Sequence, residues 1–496
     1  MNFKEKYTNL SLFILIASIT LVGRYYHELW RDEYMAFSIA SVSDSLVNLY
    51  QNLKYEVHPM LWYIELWLVG NLYKFDYMIL HYVSGANALI GIALLMFLSP
   101  FNWYQKLFIG LSTFVLYEYS VISRSYSLLL PLCFYLCHVS KRYLQTQSKR
   151  DVFIIGLLIF LIANISLLSL IITIPAALIF VVENPKSKPA IGIFVYTIMV
   201  SLLVVISIYP PKDFVAYTDF YSSDDYRIES AIDSIIYAFT NMPDNFAQSY
   251  FQMLLQKVFY VFFISVLLIY SIVRKKTLFV LGFAVFLTFA VLAYTKLGTP
   301  RHYGHIWLFW VMLVWINYDK IIQQKSMLFP GCLNILLAIQ AIYGVDAICS
   351  EIKRKYSHSE IVRDLILEES KGRYIFFAVN NMGSIFKTFS TEPLPQLSYG
   401  KFTDVESIRL GHDDFSNRLR SYIHSPFDEV IFNQAQLEKE ARKRCVYAYM
   451  ILEVPLPKKM KTTLQKVFYP RQGSMHETMF VYRINPDYLD GCVPQK

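Results

Sequence analysis

Apolar residues run along this chain in long blocks separated by short polar segments, and many blocks approach the roughly 20 residues a helix needs to cross a hydrocarbon layer about 30 Å thick. They predict crossings at residues 8–23, 76–98, 107–122, 125–140, 152–166, 168–183, 190–209, 256–273, 277–295, 304–318 and 327–348, about eleven in all. The block from 152 to 183 is too long for one helix and basic at both flanks, so the chain must cross twice, turning at Asn164–Ser166. The first run, Leu10–Val22, follows Lys4 and Lys6 as a secretory signal would, but Gly23-Arg24-Tyr25-Tyr26 offers no small-residue cleavage site, so a retained crossing is expected.

Charge orients this threading, because short cytoplasmic loops collect lysine and arginine. Lys141, Arg142, Lys149 and Arg150 share one loop, Lys186 and Lys188 the next, Arg274, Lys275 and Lys276 a third, and Lys320 and Lys325 a fourth. The alternation places the N-terminus in the cytoplasm, and the segments 24–75 and 210–255 and the tail from 349 on the other face. In the first of these, residues 36–53 and 61–72 carry apolar positions at helical spacing and predict helices lying in the interface plane, a short tilted crossing being the alternative for either.

The tail loses the long apolar blocks. It alternates short β-like runs, at 374–379, 429–432, 446–454 and 479–484, with polar helical stretches such as 434–444. The expected fold is therefore mainly α: a polytopic transmembrane domain over 1–348 and a small extracytoplasmic α/β domain over 349–496.

Composition supports a membrane class. Of 496 residues 55% are hydrophobic and 17% charged, below the roughly 25% usual for soluble chains. The net charge of +8 sits mainly in short clusters between apolar runs and points to topology rather than to nucleic acid. Six cysteines show no metal-type spacing; Cys133, Cys137 and Cys332 lie in apolar runs, and Cys445 with Cys492 is the one pair placed to bridge in an oxidising compartment.

Candidate chemistry gathers at the outer ends of crossings. Arg31-Asp32-Glu33-Tyr34 follows the first crossing, where charges are costly unless they face water, a partner or a substrate. A carboxylate there can take a proton from an incoming hydroxyl or hold a cation or sugar hydroxyl, although acidic pairs at helix ends are often merely solvated. His58-Pro59 opens the second interfacial segment, where a histidine can reach a phosphate or simply cap the helix. Arg124, Arg301 and His302 also fall at external ends; arginine's planar fork suits phosphate, although arginines in such places also snorkel to headgroups. Asp213, Asp219, Asp224, Asp225, Glu229, Asp233 and Asp244, among aromatics, suit either a sugar-binding wall or a solvated cover. His27, Glu33, His58 and His302 show no recognised ligand spacing, which leaves a divalent cation open and no metal site assigned. Asn380–Ser384 lacks the lysine of a phosphate-binding loop and reads as a turn.

In order, the acidic pair after the first crossing, an amphipathic helix and the His58-Pro59 helix start resemble the first external loop of the GT-C superfamily of membrane glycosyltransferases, closest in pattern to protein O-mannosyltransferases and bacterial aminoarabinose transferases. Ser123-Arg124-Ser125-Tyr126-Ser127-Leu128 resembles the start of that family's fourth crossing, and Pro300-Arg301-His302-Tyr303 a late one; the departure is Pro59-Met60 where relatives often have two prolines. The resemblance implies an enzyme of the bacterial inner or plasma membrane. It would move a sugar, with inversion, from a polyprenyl-phosphate donor to an external lipid, glycan or protein. Asp32 would be the catalytic carboxylate, with Glu33 beside it, and Arg31, Tyr34, His58, Arg124, Tyr126, Arg301, His302 and Tyr303 would bind substrate. The rival reading is a lipid or glycan transporter or flippase, against which stands the lack of paired repeat halves.

Overall fold

The computed structural model describes residues 3–41, 43–54, 56, 58–73, 75–209, 280, 300–322, 328–353 and 357–371, and in the C-terminal part 374–378, 396–398, 401–403, 438–439, 441–442, 445–452, 462–468 and 479–484. The side chain of Arg31, the aspartate-rich segment 210–255, nearly all of the expected crossings at 256–273 and 277–295, the run 429–432, the Asn380–Ser384 turn and Cys492 lie outside them.

The helices in chain order are α1 (Phe3–Tyr26), α2 (Arg31–Ser41), α3 (Leu46–Asn52), α4 (Leu61–Tyr73), α5 (Ile79–Leu98), α6 (Trp103–Leu111), α7 (Leu129–Thr146), α8 (Lys149–Ala163), α9 (Leu170–Glu183), α10 (Lys188–Ser207), α11 (Pro300–Ile322), α12 (Leu328–Lys353) and α13 (Ser359–Ser370). Among the described residues four stretches, Phe3–Tyr26, Ile79–Leu98, Lys188–Ser207 and Leu333–Lys353, are long and apolar enough to cross a membrane. Their outward surfaces are apolar: Leu202, Leu203 and Ile206 of α10 are exposed, as suits contact with lipid. The chain is a polytopic helical membrane protein with a small α/β part.

Local chemistry sets many of the ends. Asn102 and Gln105 form a reciprocal capping box at the start of α6, Ser45 caps α3 by accepting from Asn48 N–H, and Ser187 with Pro189 opens α10. The turn between α8 and α9 falls at Asn164–Ser166, where Ser166 accepts from Leu168 N–H. Helix α11 is buried nearly all round from His302 to Tyr318 and forms the centre against which α7 and α9 pack.

The expected crossing at 107–122 is not one helix. Helix α6 stops at Leu111, a π-helical turn covers Thr113–Glu118, and the chain then runs irregularly to a 3-10 turn at Ser125–Leu128 before α7. Packing explains the break: Gly344 of α12 comes so close that a Cβ on it would lie 1.9 Å from the Leu111 carbonyl oxygen. Further differences are smaller. Helix α2 begins at Arg31, five residues before the expected amphipathic stretch, that stretch is divided between α2 and the Ser45-capped α3, and α12 runs through residue 348 to Lys353.

Ion pairs knit one end of the bundle. Lys141 pairs with Asp319 at 2.8 Å, Lys320 with Glu183 at 3.1 Å, and Arg142 with Asp151 at 2.5 Å, joining the same ends of α7, α8, α9 and α11. In the C-terminal part, β1 (Tyr374–Ala378), β2 (Gln396–Ser398), β3 (Lys401–Thr403), β4 (Tyr447–Leu452), β5 (Thr462–Phe468) and β6 (Met479–Ile484) form a sheet of order β3-β2-β1-β4-β6-β5. Strand β1 is parallel to β2 and β4, and the other pairings are antiparallel. The alternation over 446–454 and 479–484 corresponds to β4 and β6, whereas β5 was not foreseen.

Candidate functional site

At 1.5 Å per residue α7 spans about 27 Å and α11 about 35 Å, so their N-terminal ends lie roughly a bilayer core away from the ion-paired ends. Asp32, Arg124 and Arg301 meet at those N-terminal ends. Asp32 stands in the first turn of α2, Arg124 just before the 3-10 turn that leads into α7, and Arg301 in the first turn of α11. The Asp32 Oδ2 atom lies 2.9 Å from Arg124 Nη1 and 3.3 Å from Arg301 Nη2. Neither arginine is solvent-snorkelled, each side chain being 13% exposed, while Asp32 keeps 21%. The Asp32 carboxylate is thus paired with two guanidinium groups in a half-dry setting where charges are poorly screened.

Aromatic and imidazole groups surround the cluster. The Arg301 guanidinium lies 4.8 Å over the Trp30 ring, a cation–π contact that fixes its plane. Tyr126 is buried, its ring 5.2 Å from His305 and 6.2 Å from His302. His58 Nδ1 sits on the Glu56 carbonyl at 2.5 Å. Burial and the Arg124 charge hold its imidazole below the ordinary range, in the neutral form. Burial, and after it the nearby Glu56 carboxylate, pushes the Tyr63 phenol well up, so it stays a hydroxyl. For Arg124 burial works against the charge, but Asp32, Tyr126, Tyr63 and Glu33 together outweigh it and raise the guanidinium pKa.

Glu33 is placed differently from its neighbour. It is wholly buried, and Oε2 accepts from Trp30 N–H at 2.9 Å and lies 3.1 Å from His27 Nε2, while Oε1 accepts from Ser123 N–H. His27 Nδ1 is 3.2 Å from Glu351 of α12, and Glu351 in turn accepts from the Tyr117 hydroxyl. Burial alone would lower the His27 pKa, but Glu33 and Glu351 overcome it and push it up to about 10. The same balance, tipped by His27, keeps the Glu33 carboxyl below its usual range. Arg24, at the end of α1, donates to the carbonyls of Ser120, Val121 and His81 and to the hydroxyls of Ser84 and Ser123.

Of the residues singled out from the sequence, the structure joins Asp32, Arg124 and Arg301 directly and places His58, Tyr126 and His302 around them. Tyr34 is buried with its ring 6.4 Å from Tyr77, and Tyr303 is buried in the first turns of α11. His27, Glu33, His58 and His302 do not assemble into a ligand set; among the described residues no group of three or more His, Cys, Asp or Glu is disposed to hold a metal ion. Sequence reasoning passed over Trp30, Tyr63, Arg24 and Glu351. The signal for Trp30 was its place next to Arg31-Asp32; for Arg24 there was only a charge in the last turn of an apolar helix.

No protein-family model matches the chain, and no curated protein matches it in sequence. Among solved structures, ArnT from Cupriavidus metallidurans, crystallised bound to undecaprenyl phosphate, is similar with a TM-score of 0.48 and 11% identity over 100% of both chains.

Proposed function

We propose that the protein is an inverting glycosyltransferase that moves a sugar from a polyprenyl-phosphate donor to an extracytoplasmic lipid, glycan or protein. The observation that carries this reading is the meeting of Arg124 and Arg301, from sites far apart in the chain, at the single carboxylate of Asp32. Two guanidinium groups held half-dry offer paired donors for the oxygens of a phosphate. The position of the cluster, at the opposite ends of α7 and α11 from the lysine-rich and arginine-rich loops, favours the non-cytoplasmic face.

In this reading the phosphate of the lipid-linked sugar settles against Arg124 and Arg301. The acceptor oxygen attacks the anomeric carbon from the face opposite the phosphate, and the carbon–oxygen bond to phosphate breaks. The electron pair leaves on polyprenyl phosphate, whose growing charge the two guanidinium groups stabilise. A hydroxyl acceptor gives its proton to Asp32 as the bond forms; a phosphate acceptor, already anionic, needs Asp32 only for orientation. One displacement inverts the anomeric centre without a second carboxylate nucleophile. Neutral His58 and the Tyr63 and Tyr126 hydroxyls offer hydrogen bonds to sugar or phosphate oxygens.

The test is transfer from labelled polyprenyl-phosphate sugars to candidate acceptors by the purified protein in lipid nanodiscs. Product is expected from the wild type and about 10²-fold or greater loss in Arg124→Ala and Arg301→Ala, in line with removal of a charge-stabilising donor. Full activity in both variants would contradict the assignment. Movement of intact lipid-linked sugar across the bilayer without any product would favour the flippase reading.

A further inference from the structure

We propose that Glu33 is a positioning residue that aims both arginines of the cluster, an inference that rests on the phosphate-binding reading above. Its carboxylate holds two backbone N–H groups at once. Through Oε1 it grips Ser123, the residue immediately before Arg124; through Oε2 it grips Trp30, whose ring carries the Arg301 guanidinium at 4.8 Å. Asp32 and Glu33 are neighbours on α2, as Ser123 and Arg124 are on the facing loop. The two segments are therefore joined at two successive points: side chain to side chain at Asp32–Arg124, and side chain to backbone at Glu33–Ser123. Two such links fix rotation as well as distance, which a single flexible ion pair cannot do.

The rest of the polar interior supports this role. Arg24 braces the same loop through the Ser120 and Val121 carbonyls and the Ser123 hydroxyl, so the irregular chain before Arg124 is held by charged groups as well as by its own backbone bonds. His27, itself backed by Glu351, balances the Glu33 charge, so the carboxylate can stay ionised in a site with no exposure. Nothing in this arrangement requires Glu33 to touch a substrate. Its oxygens are already engaged, and its effect passes through Arg124 and Arg301.

Binding of a polyprenyl monophosphate to the full chain in nanodiscs provides a readout that a merely structural residue would not move selectively. In Glu33→Gln, which keeps the shape but turns one oxygen into a donor, affinity is expected to fall about tenfold, as for loss of one charge-assisted hydrogen bond. In an Arg124→Ala/Arg301→Ala background the same change should cost less than about twofold, because nothing remains to aim. Should Glu33→Gln fail to fold, Glu33→Asp keeps the charge opposite His27 but withdraws the carboxylate by one methylene from Ser123, and the same cycle applies. Equal losses in both backgrounds, or wild-type affinity in the single variant, would overturn the positioning role alone. Wild-type affinity in Arg124→Ala/Arg301→Ala would overturn the phosphate reading and this inference together.

Discussion

Replacing Asp32 by asparagine separates binding from chemistry. The carboxylate sits 2.9 Å from Arg124 and 3.3 Å from Arg301, so a phosphate that takes up both guanidinium groups must come within about 5 Å of it. With Asp32 21% exposed, an effective dielectric of about 40, between the protein-surface and bulk-water values, gives a repulsion of roughly 332/(40 × 5), or about 1.7 kcal/mol. Removing that charge should tighten polyprenyl monophosphate binding by about tenfold to twentyfold. Transfer to a hydroxyl acceptor should meanwhile fall by about 10² to 10⁴, the usual contribution of a positioned general base. The assay pairs lipid-phosphate titration with single-turnover transfer on the same nanodisc preparation, and raised salt should shrink the binding gain. Weaker binding in Asp32→Asn would show that the carboxylate serves mainly to hold the arginines in place, and undiminished transfer would remove it from the chemistry.

The buried His27 and the close contact at Gly344 give two further expectations. His27 has its folded-state pKa raised from 6.5 to about 10, so the stability it contributes is complete below pH 6.5 and is lost as pH rises towards 10. Its ring faces Glu33 and Glu351, with the His81 ring 6.4 Å away and Arg24 bonded to the His81 carbonyl. The melting temperature in detergent should therefore drop between pH 6.5 and 9.5, and His27→Gln should flatten that dependence; an unchanged slope in the variant would exclude His27 as the source. Gly344→Ala would place a Cβ against the Leu111 carbonyl and the Ser112–Thr113 peptide, backbone atoms that cannot swing aside, and should cost about 2–3 kcal/mol. Thermal unfolding checks this, and a melting temperature within a degree of wild type would contradict the packing described for α12.

The membrane helices were legible because length and hydrophobicity are local properties: α1, α5 and α10 follow directly from apolar runs. The break after Leu111 was not legible, since it arises where Gly344, more than two hundred residues away, presses on an otherwise helical stretch. The Asp32-Glu33 pair shows a similar limit. Successive residues on a helix point about 100° apart, so one can face an arginine cluster while the next is sealed into the core, and the sequence presents both simply as adjacent acids. Arg24 carried no role in the sequence because two of its acceptors, Ser120 and Val121, are distant in the chain and accept through backbone, which carries no sequence signal. The parallel strand β2 and the antiparallel β3, three residues each, are too short for alternation to be read.

Phosphorus–nitrogen dipolar recoupling by solid-state NMR tests the account at its centre, using the protein labelled with ¹⁵N at arginine and reconstituted with polyprenyl monophosphate. A phosphate bonded to guanidinium groups places nitrogen within about 4 Å of phosphorus. Dephasing at that distance is expected in the wild type, reduced in each of Arg124→Lys and Arg301→Lys and abolished when both are changed. A bound lipid whose phosphorus shows no arginine nitrogen within that range, or whose dephasing survives the double change, would contradict it.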